Sequence, residues 1–159
     1  PTPSRVRETL FNWLSSRIDL TSAKVLDLFC GSGALGFEAA SRGARQVYLI
    51  DSDQKVIGHL DLFVDSLNNP KNIKTCCQDA LEWLKFNQNF KFDLIFLDPP
   101  FGSSMLMKTL PILQNQINEN GFIYVEYGKE LDNLFDSYGY EVVRAGKNGT
   151  VRYYLVTKK

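Results

Sequence analysis

Val25 to Gly36 reads VLDLFCGSGALG, an apolar run with an acid inside it, followed by three glycines at the mouth of a helix. Val25, Leu26, Leu28 and Phe29 have the pattern of a buried parallel strand. Gly31, Gly33 and Gly36 keep the G-x-G-x-x-G spacing of a nucleotide-binding strand-turn-helix. Such a turn needs backbone angles that a Cβ disfavours, and a ligand must approach its main chain closely. Asp27 narrows the reading. An acid stands where dinucleotide-binding strands carry an apolar residue, which suggests a ligand with a positive group beside the loop.

Downstream the pattern repeats. Ala34 to Ser41 reads as a helix, and Gln46 to Ile50 as a second strand closed by Asp51, twenty residues after Gly31. At that spacing an acid after the second strand reaches ribose hydroxyls. Ile73 to Cys77 is a third strand that precedes Asp79, and Phe92 to Leu97 a fourth that ends at Asp98. Four strands therefore finish at acids, along the C-terminal edge where an open α/β sheet binds ligands. Helix capping is the competing role for Asp51, Asp53 and Asp79, because helical periodicity resumes after each, as in Val56, Leu60, Phe63, Val64 and Leu67. Asp98-Pro99-Pro100-Phe101 adds a second chemical signal, an acceptor beside an aromatic that suits a planar amine. Taken with Asp27, it resembles the pattern of S-adenosylmethionine-dependent amino-group methyltransferases.

Composition bounds the alternatives. The 159 residues, 18.1 kDa, fit one domain that needs no disulfide staple. Cys30, Cys76 and Cys77 are odd in number and lack zinc-ligand spacing, so reduced thiols and a cytoplasmic location are expected, with no metal. No apolar run approaches a membrane span. Eighteen basic and eighteen acidic residues give a formal net charge of zero, so any nucleic-acid surface must be local. His59 falls on the helix after Asp53, where surface or packing is its expected role.

The remaining segments complete an alternating chain. Thr2, Pro3 and Ser4 supply helix-start chemistry for an opening helix over 3–18, with Val6, Leu10, Phe11, Trp13, Leu14 and Ile18 on its apolar face. Leu106, Leu110, Leu113 and Ile117 are helically spaced, and Pro111 among them predicts a kink or a restart as a first-turn residue. Asn120-Gly121 predicts a turn into the strand Phe122 to Tyr127, and a helix is expected around Glu130 to Tyr138. Tyr140 to Ala145 and Val151 to Thr157 then read as strands joined by a hairpin over Gly146 to Gly149. The fold class is α/β: a Rossmann-like, mostly parallel seven-stranded sheet with helices on both faces and an antiparallel C-terminal hairpin. One domain over 1–159 divides into a cofactor-binding half, 22–90, and a target-base half, 91–159.

PTPSRVRETLFNWL at Pro1 to Leu14, VLDLFCGSGALG, DPPF and FIYVEYGKE together resemble the bacterial 16S ribosomal RNA guanine-N2 methyltransferase family across essentially the whole chain. R-V-R-E-T-L-F-N-W-L is the most specific element. Cys30 replaces the family's common alanine and Asp51 its usual glutamate. The first is still small, and the second still accepts hydroxyl hydrogen bonds.

The resemblance implies S-adenosylmethionine as cofactor, across Asp27, Phe29, Gly31, Ser32 and Gly33, with its ribose on Asp51 beside Ser52 and its adenine near Asp79 and Ala80. It implies that the Asp98 carboxylate and Pro99 carbonyl accept the two amine hydrogens, that Phe101 stacks on the extruded base, and that Pro99 and Pro100 stiffen the loop. It further implies 16S ribosomal RNA as partner, within an assembled small-subunit particle, a monomeric enzyme, and a short basic segment ahead of the opening helix in a longer chain. Arg5, Arg7, Lys129, Arg144, Lys147 and Arg152 are the candidates for a basic RNA-binding rim. The rival readings are an amino methyltransferase acting on another RNA, DNA or protein amide, a nicotinamide-dependent dehydrogenase, and a non-catalytic RNA-binding module. The dehydrogenase does not account for Asp27 and DPPF, and intact Gly31, Gly33, Asp98 and Phe101 argue against the non-catalytic module.

Overall fold

The computed structural model describes residues 2–129 and 131–159, and the backbone alone at Asp132. Seven strands form one sheet: β1 (Lys24–Asp27), β2 (Gln46–Asp51), β3 (Ile73–Cys77), β4 (Phe92–Leu97), β5 (Ile117–Tyr127), β6 (Tyr140–Asn148) and β7 (Val151–Lys158), in the order β3-β2-β1-β4-β5-β7-β6. The first five run parallel, and β7 pairs antiparallel with both β5 and β6. Crossovers between parallel strands require intervening helices. α2 (Ala34–Ser41), α3 (Gln54–Ser66), α4 (Ala80–Phe86) and α5 (Met105–Leu113) supply them, while α1 (Ser4–Ser15) precedes the sheet and α6 (Asp132–Ser137) links β5 to β6.

Strand alternation sorts the core into two layers. Val25, Leu49, Leu94, Phe96, Tyr124 and Leu155 pack with Leu10, Phe11 and Leu14 of α1 and with α2 and α3. Leu26, Ile50, Ile95, Leu97, Val125 and Tyr154 face α4, α5 and Phe135 of α6. Trp13 of α1 stacks on Tyr153 of β7 at 5.5 Å, so the opening helix spans the sheet toward its antiparallel side.

Several boundaries differ from the sequence reading. α5 is one helix through Pro111, without the restart expected there. Pro111 lies in its last turn, where it removes the donor that would bond the Met107 carbonyl, and the helix ends at Leu113. Ile117 opens β5 instead of closing a helix, and Asn120-Gly121 lies inside that strand. Phe92 pairs with Ile117 and Leu94 with Phe122, so residues 118–121 bulge opposite Asp93, whose carboxylate accepts from the Asn118 amide. The final hairpin is longer than expected and turns at Gly149-Thr150, with Asn148 opposite Val151. β1 ends at Asp27, which leaves Phe29 in the loop. Thr2 does not cap α1, whose N-terminus lacks a side-chain cap. Pro1 and Glu130 lie outside the described residues.

Candidate active site

The glycine loop is built as its spacing predicts. Gly33 caps α2 with φ +79° and Gly31 has φ +51°, conformations that favour glycine. Gly36 serves packing: a Cβ there would collide with Leu49 and lie 3.3 Å from an Asp27 carboxylate oxygen. Asp51 holds the loop from the neighbouring strand. Its Oδ2 accepts from Gly31 N–H at 3.0 Å and its Oδ1 from Asp53 N–H at 2.9 Å. Asp53 and Asp79 cap α3 and α4 by accepting from Lys55 and Glu82 N–H, so both capping roles are present.

A cavity of about 570 Å³ runs along the C-terminal edge of β1, β2 and β4. Asp27, Phe29, Gly31, Ser32, Asp51, Ser52, Asp79 and Ala80 line it, together with Asp98, Pro99, Pro100 and Thr2. Gly33 shapes the turn without lining the cavity. A second cavity of about 520 Å³ opens on the other side of the DPPF loop, between Asp98, Pro99, Phe101, Glu126, Tyr127 and Lys129. Asp98 and Pro99 belong to both walls. Phe101 is 95 % exposed, and its ring lies over Gly128, where an added Cβ would meet ring carbon Cε2 at 2.9 Å.

Three acids crowd the junction. Asp27 is 4 % exposed and accepts from Gly36 N–H at 3.2 Å. Burial, with smaller contributions from the Asp51 and Glu126 charges, outweighs that hydrogen bond and raises its carboxyl to about 7. Burial raises Asp98 to about 8, with Glu126 adding both a like charge and a hydrogen bond, and Asp27 a further charge. Sequence reasoning assigns Glu126, inside FIYVEYGKE, no role of its own. The signal that could have found it is the one that singles out Asp27, an acid inside an apolar strand. Glu126 Oε1 accepts from the Tyr124 hydroxyl at 2.5 Å and from the Thr2 hydroxyl at 2.9 Å.

The remaining candidates divide. Burial pushes the Cys30 thiol well above its ordinary value, which leaves it no nucleophilic character. Among the described residues no group of His, Cys, Asp and Glu could hold a metal ion. His59 is exposed on α3, in a groove with Phe37, Phe63 and Arg7. Arg152 pairs with Tyr127 and Lys147, which puts both basic residues at the catalytic edge. Arg144 pairs with Leu155 further from that edge and lines a groove with Glu119, Glu141 and Lys158, so register separates it from Lys147 and Arg152. Arg5 is exposed on α1, and Arg7 borders the glycine loop from the α2 and α3 side.

The chain is similar to known proteins over most of its length. Residues 1–157 match the family model described as conserved hypothetical protein 95. The Buchnera aphidicola ribosomal RNA small subunit methyltransferase D is 39 % identical over 132 residues, 82 % of this chain and 68 % of its own. The Haemophilus influenzae protein of the same name is 36 % identical over 159 residues, 98 % of this chain and 81 % of its own. A solved Escherichia coli structure, assigned by name to the methyltransferases, superposes with a TM-score of 0.88 at 34 % identity, covering 100 % of this chain and 87 % of that one.

Proposed function

The chain belongs to the conserved hypothetical protein 95 family, and from that premise we propose that it methylates the exocyclic N2 amine of a guanine in 16S ribosomal RNA, with S-adenosylmethionine as donor. The relatives' names support a ribosomal RNA methyltransferase. Guanine is what the family resemblance implies, and one observation supports an amine as the target: Asp98 and Pro99 form the wall between a cavity lined by the glycine loop and a second cavity beside Phe101.

That arrangement meets a particular chemical difficulty. The lone pair of an exocyclic guanine amine is delocalised into the ring, so it is a poor nucleophile. Asp98 and the Pro99 carbonyl, each accepting one amine hydrogen, would turn the lone pair toward the first cavity. Phe101, exposed at the loop tip, offers its face to an extruded base. Pro99 and Pro100 limit loop motion, so catalysis is chiefly positioning, without a covalent enzyme intermediate. The bound cofactor supplies an electrophilic methyl group on a sulfonium. Asp27, Asp51 and Asp79 surround the first cavity with acceptors and negative charge that suit such a cation and its hydroxyls. Recognition of the target within an assembled small-subunit particle would supply the sequence choice that an amine pocket lacks.

The test is transfer of labelled methyl from S-adenosylmethionine to small-subunit RNA, free and in particles, with the product nucleoside identified by mass spectrometry. N2-methylguanosine is the expected product. Another methylated nucleoside, or label only in protein, would refute the assignment.

A further inference from the structure

Resting on the amine-methylation reading, we infer that Glu126 is a positioning residue for the transfer: anchored by Tyr124 and Thr2, its carboxylate equips Asp98 to take the proton that the methylated amine must lose. Nothing in the DPPF motif points to it. The geometry does. Leu97 of β4 pairs with Val125 of β5, so Asp98 follows opposite Glu126, and alternation puts Phe96, Asp98, Tyr124 and Glu126 on one face, beside Asp27 of β1. Glu126 is 7 % exposed, and two hydroxyls converge on its Oε1. Its carboxyl is close enough to Asp98 to raise that group's affinity for a proton. A buried acid costs stability unless it is well partnered, and an apolar residue would fill the same place in the sheet more cheaply.

The chemistry explains what such a pair can do. As the nitrogen lone pair forms the N–CH3 bond, the C–S bond breaks and its electron pair stays on sulfur, which leaves a neutral thioether. The amine nitrogen is then cationic and releases one proton, which Asp98 accepts as a carboxylate. An isolated aspartate is too weak a base to hold that proton near neutral pH. Two carboxylates side by side cannot easily both be charged, so the pair retains one proton far more tightly. Asp98 is correspondingly raised to about 8, with the Glu126 charge and hydrogen bond both contributing after burial. Tyr124 and Thr2 both donate to Glu126 Oε1, while Asp98 lines both cavities, so Asp98 is the member of the pair placed to meet the amine. The groups facing the pair are Asp27 from β1, Asp51 beyond it, Tyr124 from β5, Tyr153 from β7, and Lys129 at the outer cavity wall. The acids among them reinforce retention of the proton. A bound sulfonium opposes it, so the cofactor helps Asp98 to arrive deprotonated.

Two variants should move the pair in opposite directions. Glu126→Gln removes the like charge, and the acid limb of kcat/KM for RNA, measured at saturating cofactor, should fall by about one pH unit or more. Tyr124→Phe keeps the ring but removes a donor from the Glu126 carboxylate, and the limb should rise. A purely structural role would lower activity without moving either midpoint. The Asp98 carboxyl resonance, followed by NMR in cofactor-free protein, should shift in the same two directions. If Glu126→Gln does not fold, the Tyr124→Phe pair of measurements decides. Midpoints that stay at the wild-type value, or move the other way, overturn the inference alone. Wild-type enzyme that leaves guanine unmethylated while the Asp98 midpoint still moves would instead overturn the functional reading.

Discussion

Asp98, half-buried, and Asp27, buried, are neighbouring acids with separable duties. Asp98→Ala should abolish methyl transfer while leaving cofactor affinity nearly unchanged by calorimetry, because its carboxyl is assigned to the amine. Retained turnover would contradict the mechanism. Asp27 makes a prediction about pH. Its folded-state carboxyl is raised to about 7 from the ordinary 3.8, so between those values the folded protein holds a proton that the unfolded chain has lost. Stability must therefore fall as pH rises through that window, and Asp98, raised to about 8, acts in the same direction. Asp27→Asn should make the cofactor-free protein more stable at pH 8, by about 1–3 kcal/mol in urea unfolding, and should weaken cofactor binding. Equal stability of the two proteins at pH 8 would show that Asp27 carries no such burden. These acids were legible because each sits in a short local pattern. Glu126 also sits as an acid inside an apolar strand, but its role is not local: its partners, Thr2 and Asp98, are distant in sequence and meet it only through strand register and the approach of the residues before α1.

At the level of elements, the glycine loop and the four parallel strand ends could be read from sequence because hydrophobic periodicity and glycine spacing are local signals. What remained hidden was decided by pairing. A proline looked like a helix start, yet α5 runs through it to Leu113, with its apolar face packed in the core outweighing one lost helical donor. Asn120-Gly121 looked like a turn, yet β4 continues past it and draws residues 117–127 into one bulged strand. Gly36 shows the reverse case, a glycine whose motif position coincides with a packing demand. Gly36→Ala should drive a methyl into Leu49 and toward Asp27, tilting α2 away from β2. The expected loss is about 1–3 kcal/mol in urea unfolding, together with weaker cofactor binding as the loop shifts. Wild-type values for both would mean that helix and strand separate freely there.

Over the whole molecule, zero net charge leaves RNA attraction to local placement, and register determines that placement better than composition could. Lys147 and Arg152 face each other across the hairpin at the level of Tyr127, and Lys129 lines the outer cavity beside Phe101. Arg144 is as basic and nearly as close in sequence, but it lies further down β6 beside Glu119, Glu141 and Lys158, in a groove of mixed charge. A charge reversal should therefore matter by position. Lys147→Glu combined with Arg152→Glu should weaken RNA binding and methylation, with the steepness of the salt dependence reduced by about one for each phosphate no longer neutralised. Arg144→Glu should do much less, and all variants should bind cofactor like the wild type. Binding measured from low to physiological salt distinguishes the cases: equal losses from Arg144→Glu and the paired reversal would mean that RNA responds to total charge, and that the basic pair at the catalytic edge has no special part in bringing the base to Asp98.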